Sequence, residues 1–325
     1  MQLDPILVCL DLAKDRDRGN TGRRGLKPRG YLKTFLNLGK VFFIMKNLKI
    51  TIIGTGALGM AIAHQLKKHG FNLLGIAARN TDSSKLAASI VNCEYFSIGK
   101  IPVSDVYILA VPDKAIERVA KIIVRARRAV PLQHKIILIH LSGCLSSDIL
   151  KISKYCYAAA AHPIGSFKHF ATAVKTIQNV FWTLEGDKSA VEFMKSFIKN
   201  LSGKYYEIDK KEKPLYHTAC TIASSGLLSL IYASCNMLNT VGAPHVVPLQ
   251  NNKNTLQILW PLISSSLENL QSSGFPAGAT GPWSRKDKKT IKTHKDALKN
   301  YDKNTLKLYK LLGSGVKKWD SPQVD

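Results

Sequence analysis

The sequence feature that most restricts the fold is a glycine-rich turn between an apolar strand and an apolar helix. Aliphatic and β-branched residues predict the strand over residues 48–53, and apolar periodicity predicts the helix over residues 60–69. The sequence Gly54-Thr-Gly-Ala-Leu-Gly59 lies between them. In that context the spacing of the three glycines is typical of a dinucleotide-binding turn, whereas the same spacing elsewhere carries little information.

Each glycine meets a separate physical demand in such a turn. The first permits the sharp bend, the second lets the backbone approach a pyrophosphate, and the third lets the helix pack closely on the strand. The free N–H groups at the start of the helix would also bind phosphate. We therefore expect the cofactor to lie against Gly54, Gly56, Ala57, Leu58 and Gly59. A glycine turn with a purely structural purpose is the alternative interpretation.

The end of the second predicted strand indicates which dinucleotide would bind. This strand covers residues 72–78 and leads into Arg79 and Asn80, about 25 residues after the first glycine. Sites for NAD usually place an acidic residue here to bind the ribose 2′-hydroxyl, whereas arginine suits the 2′-phosphate of NADP. Arg79 and Asn80 therefore favour NADP over NAD. The alternative is that Arg79 is only a solvated residue at the start of a helix.

Strands and helices continue to alternate after this point. Helices are predicted over residues 113–128 and 188–200, and strands over residues 105–111, 135–140, 156–161, 179–184 and 205–209. The alternation predicts an α/β fold, a Rossmann-type doubly wound parallel sheet with ligands beyond the carboxyl ends of its strands. That edge would carry the residues that follow the strands, which are Val111, Pro112, Asp113, Ser142, Gly143 and His162. All but His162 are further candidates for binding the cofactor.

After residue 209 the pattern is helical. Helices are predicted over residues 215–238, 249–270 and 286–312, with Pro and Gly between them. Residues 215–238 contain no Lys, Arg, Asp or Glu, but they include His217, Asn236 and several Ser and Thr residues. A lipid-facing helix would be more uniformly apolar. We expect this helix to be buried on nearly all sides, in a domain core or in the interface of a homodimer.

Residues 1–44 differ from the rest of the chain. They show no helical or strand period and are rich in basic residues and glycine between residues 14 and 29. We expect a disordered extension, or a start assigned upstream of Met45, and we expect the chain from Met45 to fold without it. The predicted domains are therefore a dinucleotide-binding Rossmann domain over residues 45–209 and a helical domain for substrate and dimerisation over residues 210–325.

These residues carry a resemblance to a known family. From Met45 to about Leu312 the chain resembles Rossmann-like proteins with a C-terminal domain of unknown function 2520, which are relatives of pyrroline-5-carboxylate reductase and of deazaflavin-dependent NADP reductases. The matching segments follow the order of that family, and they are the glycine turn, Ala110-Val-Pro-Asp113, His140-Leu-Ser-Gly143, His162-Pro-Ile-Gly-Ser-Phe167, Tyr216-His217, Thr280-Gly-Pro-Trp-Ser-Arg285 and Asp287. The resemblance implies an all-helical second domain like the C-terminal domain of 6-phosphogluconate dehydrogenase.

Two departures from the family pattern bear on the substrate pocket. The family usually has Asn about eight residues after the Tyr-His pair, where this chain has Ser225. It usually has Gly between the late Arg and Asp, where this chain has Lys286. The resemblance therefore supports the fold and the cofactor more firmly than it supports a reaction.

Two functions follow as hypotheses. The first is an NADP-dependent oxidoreductase that transfers hydride to or from a small, anionic carbonyl or imine substrate. Such an enzyme needs a residue that donates or accepts a proton. His217, near the start of an apolar helix, is our first candidate, and His162, at the predicted edge of the sheet, is the second; His140 and Lys213 are further candidates. The second hypothesis is an NADP-binding or interaction module without turnover, whose basic surface would contact nucleic acid.

The charge of the chain bears on its partners. Lys and Arg total 47 against 22 Asp and Glu, which gives a net charge of +25. This excess favours an anionic partner without identifying one. The basic segments contain few aromatic residues for base stacking, so we do not expect a nucleic-acid partner. The six cysteines form no C-x-x-C pair, so we expect reduced thiols in the cytoplasm and no metal site. We also expect no membrane span, because no stretch is uniformly apolar over the length that a span requires.

Overall fold

The structure is a computed structural model that describes residues 45–79, 81–127, 135–241 and 252–316. The expectation for residues 1–44 therefore lies outside the described residues. The chain divides into two compact units, an N-terminal unit that ends at Thr221 and a C-terminal unit that begins at Ile222.

The N-terminal unit is built on an eight-stranded sheet with the strand order β3-β2-β1-β4-β5-β6-β7-β8. The strands are β1 (Ile50–Ile53), β2 (Leu73–Ala78), β3 (Glu94–Ser97), β4 (Val106–Leu109), β5 (Ile136–His140), β6 (Cys156–Pro163), β7 (Phe181–Gly186) and β8 (Lys204–Glu207). The helices of this unit are α1 (Ala57–Lys68), α2 (Thr81–Val91), α3 (Asp113–Arg127), α4 (Phe170–Thr176), α5 (Lys188–Asn200) and α6 (Lys213–Thr221), with a 3₁₀ turn at Ser147–Leu150.

Both faces of the sheet are covered, which confirms the predicted Rossmann-type architecture. Ile52 and Leu66 belong to one buried cluster, together with Phe193 of α5. The next residue of β1, Ile53, belongs to the cluster on the other side, with Tyr107 of β4 and several buried residues of α3. Side chains alternate across a strand, so the continuous apolar run of β1 requires apolar partners on both faces.

The sheet departs from the predicted all-parallel arrangement at one pair of strands. β6 and β7 are antiparallel, whereas β7 and β8 are parallel to each other. The connection from β6 to β7 contains only the seven-residue helix α4. A parallel connection has to return along the sheet, and α4 is too short to span it.

Several boundaries also differ from the prediction. β6 extends through His162 and Pro163, so His162 is the second-to-last residue of a strand and does not follow it. β3, α4 and the 3₁₀ turn were not predicted, because each is too short to show a periodic pattern.

The C-terminal unit is helical in its described residues. It begins with a π-helical turn, Ile222–Gly226, and continues with α7 (Leu227–Thr240), α8 (Asn252–Ser273), α9 (Lys288–Tyr301) and α10 (Lys303–Val316). The helix predicted over residues 286–312 is two helices, because Asp302 has extended backbone. Its carboxylate accepts hydrogen bonds from the backbone and side chain of Thr305, and this caps the start of α10.

The uncharged helix is mostly exposed in the single chain. Leu215 is 76% exposed, Ile222 67% and Leu228 66%. The expectation that a domain core buries this helix is therefore wrong. In the described part of the chain, the continuous helical stretch Lys213–Thr240 is long and apolar enough to cross a membrane, on length and composition alone. Its first residue, Lys213, is buried in the N-terminal unit.

Lys286 lies two residues before the start of α9, and its backbone has a φ of +57°. This left-handed conformation costs a non-glycine residue about 1–2 kcal/mol. We expect Lys286→Gly to stabilise the protein by about 0.5–1 kcal/mol, because glycine removes that strain but is more flexible when unfolded. Urea denaturation followed by circular dichroism measures the change. A less stable variant would show that contacts of the Lys286 side chain outweigh the backbone strain.

Candidate functional site

The glycine turn has the geometry that the sequence predicts. Gly54 has a φ of +118°, and a Cβ on it would lie 2.2 Å from the carbonyl oxygen of Ala110. A Cβ on Gly59 would lie 2.7 Å from the carbonyl oxygen of Gly54. At Gly56 the same position is open, with nothing within 4 Å. The outer two glycines therefore permit close packing within the protein, whereas Gly56 leaves space for a ligand.

A cavity of about 700 Å³ lies beside this turn. The glycine turn contributes Gly54, Thr55 and Gly56, and the end of β4 contributes Val111 and Pro112. The cavity is also lined by the side chains Arg79, Ser83, Ile98, Arg118 and Val119. Its volume lies within the range of about 300–1,000 Å³ that is typical of ligand sites.

This lining suits the phosphate groups of a dinucleotide. Gly56 leaves room for the pyrophosphate at the N-terminus of α1. Two guanidinium groups, of Arg79 after β2 and Arg118 on α3, line the same cavity. Arg118 was not a candidate from the sequence, because an arginine on an amphipathic helix looks like a solvated residue. Asn80 lies outside the described residues, and Ala57, Leu58 and Gly59 belong to the first turn of α1 beside the cavity.

Asp113 and Ser142 form the next part of the edge. The Ser142 hydroxyl donates a hydrogen bond of 2.7 Å to the Asp113 carboxylate. The same hydroxyl oxygen accepts from the backbone N–H of Cys144 at 3.2 Å and of Leu145 at 3.0 Å. Asp113 therefore holds the loop after β5 in place. Neither residue lines the cavity beside the glycine turn in the described structure.

The two candidate histidines lie together beside Gly143. Their ring centroids are 5.7 Å apart. A Cβ on Gly143 would lie 2.4 Å from Cδ2 of His217 and 3.0 Å from Cε1 and Nε2 of His162. The absence of a side chain at Gly143 is what lets both rings approach the loop after β5. The hydroxyl of Tyr216 is hydrogen-bonded to Nδ1 of His162 at 2.5 Å.

Lys213 is buried directly beneath this edge. Only 1% of it is exposed, and its Nζ donates a hydrogen bond of 3.1 Å to the carbonyl oxygen of Ser142. Burial lowers the pKa of the Lys213 ammonium group, while the charge of Glu185 acts in the opposite direction. Glu185 itself accepts hydrogen bonds from the backbone and hydroxyl of Ser147, both at 2.7 Å. The edge thus contains a cluster of buried ionisable groups, which is typical of functional sites.

Burial also keeps two histidines of this edge, His140 and His162, neutral. It lowers the pKa of His140 to about 4 and the pKa of His162 to about 4, and the nearby Lys213 acts in the same direction on both. Burial raises the pKa of the Tyr216 hydroxyl. Near pH 7 the edge therefore carries neutral imidazoles, one of them hydrogen-bonded to a neutral phenol.

The low pKa of His140 predicts acid sensitivity. Its Nε2 lies 3.1 Å from the carbonyl oxygen of Ser146, and its Nδ1 accepts from the backbone N–H of Ser142 at 3.2 Å. Protonation of Nδ1 would destroy the second bond. A histidine whose folded pKa is lowered stabilises the fold above its unfolded pKa, and this contribution is lost as the pH falls through the folded pKa. We expect stability to fall between about pH 6.5 and 4, by at most about 3 kcal/mol from this residue.

Urea denaturation at pH 7, 5.5 and 4.5 measures this loss. The variant His140→Gln should show a flatter dependence than the unmodified chain, while His169→Gln, an exposed control, should not. If stability depends on pH equally in all three proteins, His140 is not the source of the acid sensitivity.

Among the described residues, no group of three His, Cys, Asp or Glu is placed to hold a metal ion. The described cysteines, Cys93, Cys144, Cys156, Cys220 and Cys235, are free thiols. Ser225, the first departure from the family pattern, lies in the π-helical turn Ile222–Gly226.

Two family descriptions match this chain. Residues 49–138 match the family described as NADP oxidoreductase, coenzyme F420-dependent. Residues 180–315 match domain of unknown function 2520, and this match begins just before β7. The two matches therefore cover the glycine-rich half of the sheet and the helical part of the chain.

Solved structures share the fold over most of the chain. One from Bacteroides fragilis, described as an NADP oxidoreductase, is 20% identical, has a TM-score of 0.65, and covers 84% of this chain and 98% of its own. A pyrroline-5-carboxylate reductase from Coxiella burnetii is 12% identical, with a TM-score of 0.53 and coverage of 83% and 98%.

A curated relative matches only in part. The redox-sensing transcriptional repressor Rex of Caldicellulosiruptor saccharolyticus is 32% identical over 119 residues, which is 34% of this chain and 53% of the repressor. The chain thus spans about half the length of this relative. The chain thus has the Rossmann-like fold of these solved structures, with one family match over residues 49–138 and a match to domain of unknown function 2520 over residues 180–315.

Proposed function

We propose that this protein is an NADP-dependent oxidoreductase that transfers hydride to or from a small, anionic carbonyl or imine substrate. The observation that carries the proposal is the pair His162 and His217 beside Gly143, at the carboxyl ends of the strands in the unit that holds the dinucleotide cavity. In open α/β sheets, that edge is where ligands bind.

The chain's own residues would bind and orient the reactants and move a proton. NADP, when bound, supplies or accepts the hydride. Gly56 and the start of α1 would hold its pyrophosphate, and Arg79 and Arg118 would neutralise its 2′-phosphate. Asp113 fixes Ser142, and thereby the loop that carries Gly143.

His162 is the residue best placed to exchange the proton. Its Nε2 makes no hydrogen bond with any described residue, while its Nδ1 is bound to Tyr216. A neutral imidazole has one N–H, so a phenol that donates to Nδ1 leaves the proton on Nε2. Nε2 then donates to the carbonyl oxygen or imine nitrogen of the substrate, and Tyr216 keeps the ring in that tautomer. His217, beside it, orients the substrate or shares the proton transfer.

A panel of small keto acids and cyclic imino acids, followed by NADPH oxidation, tests this proposal. His162→Gln should lower kcat at least about 100-fold on any active substrate, the usual contribution of a general acid, with little change in the Kd of NADPH. His217→Gln should also lower kcat, and the exposed His169→Gln should not. Full activity in His162→Gln would contradict the assignment.

The cofactor preference rests on Arg79 and Arg118. We expect Arg79→Asp to weaken NADPH binding by at least tenfold and to leave NADH binding nearly unchanged, because the charge-assisted contact to the 2′-phosphate becomes a repulsion. Arg118→Gln should act in the same direction with a smaller effect, whereas Arg125→Gln, on the same helix but outside the cavity, should have none. NADPH fluorescence titration measures all four proteins. Equal affinities for NADPH and NADH in the unmodified chain would contradict the preference.

A cofactor-binding module without turnover is the second candidate. The partial match to a redox-sensing repressor and the departures at Ser225 and Lys286 favour it. Tight NADPH binding without turnover on any substrate, together with salt-resistant binding of DNA or RNA, would support this candidate over the enzyme.

We also propose a cytoplasmic homodimer that buries the uncharged helix. The exposure of Leu228 and Tyr232 on α7, 66% and 57%, is the support, since exposed apolar faces mark association sites. Sedimentation should show a dimer at micromolar concentration in the absence of detergent. A detergent requirement for solubility would instead favour a membrane-bound helix, and a stable monomer would contradict the dimer.

A further inference from the structure

A second cavity, of about 390 Å³, lies in the C-terminal unit, and its lining is strongly basic. It is formed by Trp283, Ile291 and four lysines, which are Lys286, Lys288, Lys292 and Lys295. The last three are spaced four and three residues apart on α9. Residues at this spacing share one face of a helix, so the three lysines line the same side of the cavity.

Three of these charges, those of Lys288, Lys292 and Lys295 on α9, are not held in ion pairs by carboxylates of the described residues. The carboxylate of Asp287 accepts from the backbone and hydroxyl of Thr290 and caps α9. Asp296 forms an ion pair with Lys299 at 2.7 Å, and its charge also acts on Lys292. The cavity therefore gathers positive charge that a bound anion would balance.

The apolar wall of the cavity is held in place by packing. A Cβ on Gly313 of α10 would lie 2.3 Å from the indole ring of Trp283, so the ring lies directly on the backbone of that helix. Trp283 also contacts Tyr309, with ring centroids 5.3 Å apart. The ammonium of Lys295 lies 5.4 Å from the centre of the indole ring. One of the four lysines is thus oriented by a fixed aromatic face.

The backbone at Lys286 gives an independent indication. Its φ of +57° is a conformation that glycine adopts freely and that other residues adopt at a cost. This chain instead keeps a lysine, at a cost of about 1–2 kcal/mol, and the lysine lines the cavity. Strain of this kind is commonly retained where the side chain has a function.

We propose that this cavity binds the clustered phosphate groups of a small ligand, such as the polyphosphate chain of a nucleotide. Lysine binds phosphate as a mobile point charge, and four of them match a chain of several phosphates better than a single carboxylate. The volume is that of a small-ligand site. The site is separate from the cavity beside the glycine turn and does not depend on the proposed reaction.

Isothermal titration of the full chain with inorganic tripolyphosphate tests the proposal. Lys288→Gln/Lys292→Gln should weaken binding at least tenfold. Lys303→Gln/Lys307→Gln removes the same charge from exposed positions of α10 outside the cavity and should have little effect. Circular dichroism checks that both double variants remain folded. Equal weakening by the two variants would show that only the general charge of the chain attracts the anion, and would overturn the site.

Further arms of the titration separate the possible sources of phosphate. Arg79→Asp should leave tripolyphosphate binding unchanged, since a loss would place the anion in the dinucleotide cavity and overturn the proposal. A nucleoside triphosphate that binds as well as tripolyphosphate, or better, supports the proposal, and the difference measures the contribution of the base. If single-stranded RNA binds more tightly than both ligands, the lysines form a nucleic-acid-binding surface, and the proposal of a small-ligand site is overturned. No binding at millimolar tripolyphosphate would also overturn it.

Discussion

Gly54→Ala is expected to destabilise the N-terminal unit by at least about 3 kcal/mol. Two penalties add at this position. The φ of +118° lies outside the range that alanine adopts without strain, and its Cβ would be placed 2.2 Å from the carbonyl oxygen of Ala110 at the end of β4. Backbone atoms cannot rotate away, so β1 and β4 would have to separate. Thermal unfolding should show a midpoint lower by about 6–12 °C.

Gly56→Ala is the matched variant. This glycine has an ordinary φ of −67°, and its Cβ position is open. We expect an unchanged unfolding midpoint but NADPH binding that is at least tenfold weaker, because the new methyl group occupies the space of the cofactor. Equal destabilisation by both variants would contradict the division of roles between the two glycines. Unchanged NADPH affinity in Gly56→Ala would show that the pyrophosphate does not bind at this turn.

Gly143→Ala is expected to disable the proposed site while the sheet stays folded. The added Cβ would collide with Cδ2 of His217, at 2.4 Å, and press on the ring of His162. Side chains can move where backbone cannot, so the stability cost should be only about 1–3 kcal/mol. Displacement of the rings by about 1 Å should lower kcat about 100-fold.

The ring resonances of His162 and His217 provide a readout that needs no substrate. In NMR titrations the variant should raise the low pKa of His162, because a displaced ring is less buried. Gly99→Ala is the control, since its Cβ position has nothing within 4 Å. Unperturbed histidine resonances in Gly143→Ala would show that the loop after β5 moves instead of the rings.

The elements that were predicted correctly are those whose signal is local. The β1 run of buried aliphatic residues, the three glycines and the helix of residues 188–200 can each be identified within about fifteen residues of sequence, and the structure has α5 at Lys188–Asn200. β3 and α4 were missed because four and seven residues are too few for a period to show. The prediction that a domain core buries the uncharged helix was wrong, since composition does not say whether apolar surface is covered within one chain or by a second one.

By itself the sequence determined that the chain builds a Rossmann-type sheet with a glycine turn for a dinucleotide, because those demands act on neighbouring residues. Only the tertiary structure decided which distant residues meet. Arg118 joins Arg79 in one cavity, Lys213 reaches the carbonyl of Ser142, and His162 and His217 converge on Gly143. These groups come from separate strands and helices, and their spacing along the chain says nothing about distance in space. Their meeting follows from the order of the strands, which long-range packing sets.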